Sequence, residues 1–190
     1  MNPEPKQPFS LEGLLEAISA QKYPPVEKWH PDFCGDIDMC IKKDGSWFYM
    51  GTPIGRARMV KLFSSVLRKD NDGKTYLVTP VEKIGITVED AHFVAIGLEI
   101  GEQDDLPVLI FETNVGDKVV AGKSNPIRVD TNETTGEPRP YVLVRGNLEA
   151  LISRSVFYQM VELASSEGER LFIESGGVRF FLGSSGITEC

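Results

Sequence analysis

The chain carries two copies of one helical pattern, and a sequence that repeats itself constrains its fold to repeat as well. Ile54-Gly55-Arg56-Ala57-Arg58-Met59-Val60-Lys61-Leu62-Phe63 aligns without a gap on Ile152-Ser153-Arg154-Ser155-Val156-Phe157-Tyr158-Gln159-Met160-Val161. Each copy opens with isoleucine, a helix-starting Gly or Ser and an arginine, then places apolar residues at helical spacing. The surroundings agree. A turn at Asp44-Gly45 answers one at Thr135-Gly136, Trp47 to Gly51 answers Tyr141 to Gly146, and Tyr76-Leu77-Val78 answers Leu171-Phe172-Ile173. Repetition of this kind says how a fold is assembled and leaves its chemistry open.

The local patterns turn that repeat into elements. Ser10, followed by Leu11, Leu14, Leu15 and Ile18, predicts a capped helix that Pro24-Pro25 ends. Residues 36–41 alternate with period two, so Ile37, Met39 and Ile41 share one strand face. Asp44-Gly45 turns the chain back through 46–50, because glycine tolerates a positive φ. The next helix buries Met59, Leu62, Phe63, Val66 and Leu67, and strands follow at 74–79 and 82–88. A strand-rich middle (93–100, 106–114, 118–121) leads to the second unit. There, strands at 126–130 and 141–145 precede a helix burying Phe157, Met160, Val161 and Ala164, and 171–174 and 178–182 close the chain. The expectation is an α+β fold: an internal duplication of a β-β-α-β-β unit with mostly antiparallel sheets. Residues 1–25 form a tail and helix, 26–90 the first unit, and 91–190 the central strands and second unit.

Composition removes several function classes. An apolar content of 41% suits a globular core, and no run approaches the roughly 18 consecutive apolar residues of a membrane-spanning helix. The polar, proline-broken stretch from Met1 to Pro8 does not read as a targeting segment, so a cytoplasmic address is expected. Cys34, Cys40 and Cys190 show no C-x-x-C spacing, which indicates neither a disulfide framework nor a zinc site. The net charge of −8 equals the eight acids between Ile84 and Asp117 (Glu89, Asp90, Glu99, Glu102, Asp104, Asp105, Glu112, Asp117), a stretch with no Lys or Arg. Such a segment repels phosphate backbones, so no nucleic acid and no membrane partner is expected. It is either a solvated face or a surface that receives arginines from the repeats or from a partner.

No catalytic motif is present. Gly116 to Ser124 imitates a P-loop, but its glycines stand one residue too far apart and Asn125-Pro126 forbids the helix that must follow. The residues that invite a ligand are Arg56 and Arg58, in the first helical turn, where positive charge opposes the helix dipole and free N–H groups face outward. Arg154 repeats the placement. These arginines either pair with acids of the central segment or bind a phosphate or carboxylate. Asp36 and Asp38 share a strand face about 7 Å apart, suited to a cation or to capping the hairpin, with no third ligand in view. Trp29-His30-Pro31 reads as a stacking surface with a proton carrier or as a packed loop.

Four stretches carry a family resemblance: Cys34 to Met39, Gly45 to Tyr49, Thr52 to Arg56, and Tyr76-Leu77-Val78-Thr79-Pro80-Val81-Glu82-Lys83. Through them the chain resembles the bacterial domain-of-unknown-function family DUF1285. The resemblance implies a duplicated α+β core whose C-terminal half is superficially like a pleckstrin-homology domain. It also implies a pocket for a nucleotide-like ligand at the domain interface and a role in signalling. It supplies no catalytic residues. Trp47, Tyr49 and Lys83 lie on these stretches and join Arg56, Arg58, Arg154, Asp36 and Asp38 in the expected ligand-binding set. The leading expectation is therefore a non-catalytic regulatory or sensory module binding a small anionic ligand, with no cofactor, no metal and room for homodimerisation. A metal-dependent hydrolase or phosphoryl-transfer enzyme, and a structural or protein-interaction subunit, stand as alternatives.

Overall fold

The structure is a computed structural model, and residues 23–184 are described. The expected helix from Ser10 to Ile18, and Cys190, lie outside the described residues. The chain divides between Glu89 and Asp90 into two compact units.

The first unit follows a short 3₁₀ turn (Val26–Lys28) with β1 (Phe33–Ile41), β2 (Trp47–Tyr49), β3 (Thr52–Pro53), α1 (Ala57–Ser65), β4 (Leu67–Lys69), β5 (Thr75–Val78) and β6 (Lys83–Val88). The β1–β2 turn forms as its sequence dictates. Gly45 takes φ +82°, and Asp44 Oδ1 accepts the Ser46 amide at 2.9 Å. Two meanders, β1-β2-β3 and β4-β5-β6, join through the parallel pair β1/β6 into one mixed sheet of order β3-β2-β1-β6-β5-β4. Met39, Ile41, Trp47, Leu67, Leu77 and Ile84 are buried. Helix α1 reaches this core with its C-terminal half: Phe63 is buried and stacks on Trp47 with ring centroids 6.2 Å apart. Met59 and Leu62, expected to be buried beside it, are only half-buried: Met59 belongs to the exposed first turn of this nine-residue helix, and Leu62 flanks the buried Phe63–Ser64 stripe.

The second unit runs β7 (Phe93–Gln103), β8 (Leu106–Thr113), β9 (Lys118–Val120), β10 (Ile127–Thr131), β11 (Pro138–Arg145), β12 (Leu148–Ile152), α2 (Arg154–Leu163), β13 (Ser165–Glu167), β14 (Arg170–Ser175) and β15 (Val178–Ser184). Its six-stranded sheet, β10-β11-β12-β7-β8-β9, again joins two meanders through one parallel pair, β12/β7. A small antiparallel sheet, β13-β14-β15, follows. Helix α2 packs against β7 and β14 through the buried Val156, Phe157 and Met160, while Val161 is half-buried.

The core is duplicated, but not along the line drawn by the helix match. Topologically β1–β6 correspond to β7–β12. In the first unit the helix sits between the meanders; in the second, residues 121–126 make that link and the helix comes after the sixth strand. Both 36–88 and 126–183 run strands, helix, strands, as the sequence comparison required. The strands after α1 nevertheless join the main sheet, whereas those after α2 form a sheet of their own. The β-β-α-β-β unit is thus corrected to a pair of three-stranded meanders, and Arg56 and Arg154 occupy non-equivalent places. Similar amphipathic helices arise from local spacing, while strand partners are chosen across long sequence separations.

Candidate functional site

Helix α1 begins badly for an isolated helix. Arg56 is its N-cap residue with extended backbone (φ −89°, ψ 103°), no side chain caps the first turn, and no acid lies in it. Arg56 and Arg58 are exposed, and among the described residues their side chains make no hydrogen bond, ion pair or ring contact. Two cations at the positive end of a helix each oppose it by about 0.3–1 kcal/mol. The other arginines are engaged. Arg68, Arg128, Arg139, Arg145, Arg154 and Arg179 form ion pairs, and Arg170 lies 4.9 Å from the centroid of the Phe181 ring. Tyr49 ends the first strand of the hairpin whose second strand leads to Arg56, and it is 46% exposed. Arg154, the expected twin of Arg56, instead donates to Glu137 at 3.1 Å on the surface of the second unit.

A second group lies on the opposite edge of the first sheet, away from the strands that lead to α1. Asp36 on β1, Gly85 on β6, Tyr76 on β5 and Arg68 on β4 stand in register across the strands. A Cβ on Gly85 would lie 1.9 Å from Asp36 Oδ1, so glycine is what lets that carboxylate rest against the sheet. Buried Arg68 uses its whole guanidinium: Nη1 donates to the Val26 and Trp29 carbonyls at 2.8 and 2.7 Å, and Nε and Nη2 donate to Asp70 at 2.6 and 3.2 Å. Lys83 Nζ donates to Asp70 at 2.5 Å and lies 4.0 Å from the Tyr76 ring centroid, and the Tyr76 hydroxyl donates to Asp72 at 2.6 Å. Asp36 and Lys83 thus come together around Tyr76. Burial works to raise the Asp70 carboxyl, but hydrogen bonds and charge from Arg68 and Lys83 overcome it and hold it below its usual range. The hydrogen bond to Asp72, aided by burial and by the charges of Asp72, Asp70 and Asp36, pushes the Tyr76 hydroxyl up to about 12. A tyrosine so reluctant to ionise cannot serve as a base at neutral pH. This group pins the 3₁₀ turn to the sheet.

The remaining expected residues are dispersed. Trp47 is a core residue, 2% exposed, whose ring packs against Phe63, and among the described residues its indole N–H has no hydrogen-bond partner. Asp38 is exposed, as is His30. Burial pushes the Cys40 thiol up, with further shifts from Lys42, Glu89 and Asp38, so it is not an activated nucleophile. Among the described residues no three His, Cys, Asp or Glu side chains converge as metal ligands. Sequence reasoning missed Arg68, Asp70, Asp72 and Tyr76. The available signal was one arginine directly after the apolar pair Val66-Leu67, leading into a strand.

The acidic segment does receive arginines, though not those of the helix starts. Asp90 accepts Arg139 at 2.5 Å and the Tyr141 hydroxyl at 2.8 Å, and Asp117 accepts Arg145 at 3.2 Å. Arg128 grips Glu149 through two bonds of 2.7 Å, also pairs with Asp130, and lies 4.2 Å from the Tyr141 ring centroid. Burial first, then the bond to Asp90, pushes Tyr141 up to about 12. Tyr76 and Tyr141 are two of five tyrosines. Ultraviolet titration should therefore show Tyr76 and Tyr141 ionising only near pH 12, and Asp72→Asn should bring Tyr76 down. Because the folded pKa is raised, the stabilisation from these bonds is complete below about pH 10 and lost as pH rises through 12.

Comparison with known proteins places these residues in context. Residues 24–91 match the family model "Domain of unknown function (DUF1285), N-terminal domain", and residues 92–182 match "Protein of unknown function (DUF1285), C-terminal domain". The crystal structure of a DUF1285 family protein from Silicibacter pomeroyi DSS-3 is similar with 50% identity and a TM-score of 0.80, covering 92% of this chain and 97% of that one. A DUF1285 family protein from Shewanella baltica OS155 is similar with 26% identity and a TM-score of 0.51, over 65% of this chain and 90% of that one. No curated protein matches the chain.

Proposed function

The chain belongs to the DUF1285 family, and from that premise we propose a non-catalytic regulatory or sensory module that binds a small anionic, nucleotide-like ligand through Arg56 and Arg58. The observation that carries this reading is the pair's isolation. In a chain whose other arginines are engaged, these two are exposed, have no side-chain partner among the described residues and are stationed at an uncapped helix start. An anion there would take the free first-turn N–H groups and cancel the dipole's opposition, with a guanidinium supplying a two-pronged contact. The exposed Tyr49 ring, on the hairpin that leads to this turn, offers a face on which a base can stack. The same reading takes the C-terminal half, where the last strand of the six-stranded sheet leads directly into α2, as pleckstrin-homology-like.

The test separates binding from folding. Because both side chains are free of contacts among the described residues, Arg56→Ala and Arg58→Ala should not destabilise the fold, and relief of the dipole's opposition should raise stability by no more than about 1 kcal/mol. Affinity for the best anion from a thermal-shift screen of nucleotides and other phosphates should fall tenfold or more in each. Arg56→Lys should keep the fold and lose most of that affinity, since lysine lacks the planar fork. Equal binding by Arg56→Ala and the wild type would end the proposal. Stabilisation by divalent metal without nucleotide would favour an enzyme using Asp36 and Asp38 instead.

A further inference from the structure

The second unit contains a groove of about 390 Å³ that the arginine site does not use. It lies where the β10–β11 hairpin, α2 and the β14–β15 hairpin meet. Val129 and Pro138 line it from the first, Phe157 and Val161 from the helix, and Leu171 and Phe181 from the last. The volume falls within the range of small-molecule sites, and its apolar side chains share the lining with the polar Thr131 and Ser184, a mixture that suits an amphipathic ligand. Phe181, with the Phe172 ring 5.7 Å and the Arg170 guanidinium 4.9 Å from its centroid, remains 41% exposed, so this end of the groove leaves apolar surface in water. A β-bulge between Leu171 and Phe172 shapes this end, because β15 carries one residue more than β14 there and Gly183 takes φ +142°.

The rim supplies a charge. Glu137 stands between two lining residues, Gly136 and Pro138, and accepts Arg154 Nη2 at 3.1 Å. Both side chains are well exposed, 71% for Arg154 and 60% for Glu137. An exposed pair of this kind contributes little to stability, so another carboxylate can take the place of Glu137 on Arg154 at small cost. We infer that this groove binds a small apolar acid, its hydrocarbon body among Phe157, Val161, Leu171 and Phe181 and its carboxylate on Arg154. Esterified acyl chains lack the free carboxylate and are disfavoured. The site is independent of Arg56 and Arg58.

Calorimetric titration of the full chain with decanoate, below its micellar concentration, and with decanol tests this. Decanoate should bind at least tenfold more tightly than decanol. Arg154→Gln, an exposed position, should erase that preference and bring decanoate to the affinity of decanol. Glu137→Gln should strengthen decanoate binding by removing the internal competitor. Val161→Trp fills the groove and should abolish binding of both probes, with circular dichroism confirming the fold. Arg56→Ala should leave all of these values unchanged. Equal affinity for acid and alcohol, an undiminished preference in Arg154→Gln, or no binding of decanoate at millimolar concentration would each overturn the inference.

Discussion

Phe63→Ala should destabilise the first unit by about 3–5 kcal/mol, through lost burial and the cavity left under Trp47. Phe63 is 4% exposed and supplies the ring on which Trp47 stacks, so its removal strips both the helix and β2 of their main contact. Phe63→Leu keeps most of the volume and should cost less than half as much. Trp29 and Trp47, the chain's two tryptophans, both lie in the first unit, so fluorescence during urea unfolding reports that unit. A loss below about 1 kcal/mol for the alanine variant would mean that α1 does not hold the core through this residue.

Arg68→Ala should be the next most damaging change, at about 2–4 kcal/mol. Breaking a buried ion pair from one side costs about 3–5 kcal/mol, and the 22% exposure of Asp70 places this pair toward the lower end. The variant also leaves the Val26 and Trp29 carbonyls without their donor and frees the 3₁₀ turn. Arg68→Lys should rescue little, since one ammonium cannot reach two carbonyls and both carboxylate oxygens. Acid unfolding gives an independent readout. The Asp70 carboxyl is depressed in the folded state, so its stabilisation is present above the ordinary carboxylate value of about 3.9 and is lost as pH falls through the lower folded value. Arg68→Ala should flatten the acid limb of the stability curve below about pH 4, and Asp70→Asn should remove the same portion. An unchanged acid limb in both variants would show that the cluster is not an anchor.

Much of the local structure is legible in the sequence because it is set by short-range physics. The Asp44-Gly45 turn, the alternation ending in buried Met39 and Ile41, and the helices at Arg56 and Arg154 follow from φ preferences, period two and period 3.6. The short strands β3, β4 and β13, of two or three residues, escape because so few positions show no period. Strand β12 escapes for another reason: Ile152, which reads as the start of the helix, is its last residue.

The candidate site divides along the same line. That Arg56 and Arg58 begin a helix is a property of their neighbours and could be read from residue types. That no carboxylate of the described residues meets them, while Arg139 and Arg145 take Asp90 and Asp117, depends on which strands pair. The Arg68–Asp70–Lys83–Tyr76 cluster is assembled by register between β4, β5 and β6, and Asp36 joins it only because β1 pairs in parallel with β6 over Gly85. The sequence by itself determined the longer elements and the presence of a repeat, since turn chemistry and hydrophobic spacing act over a few residues. Only the tertiary structure decided that the repeat is a pair of meanders, not a helix-centred unit, and which charges face each other, because strand pairing and ion pairing are settled between residues far apart in the chain.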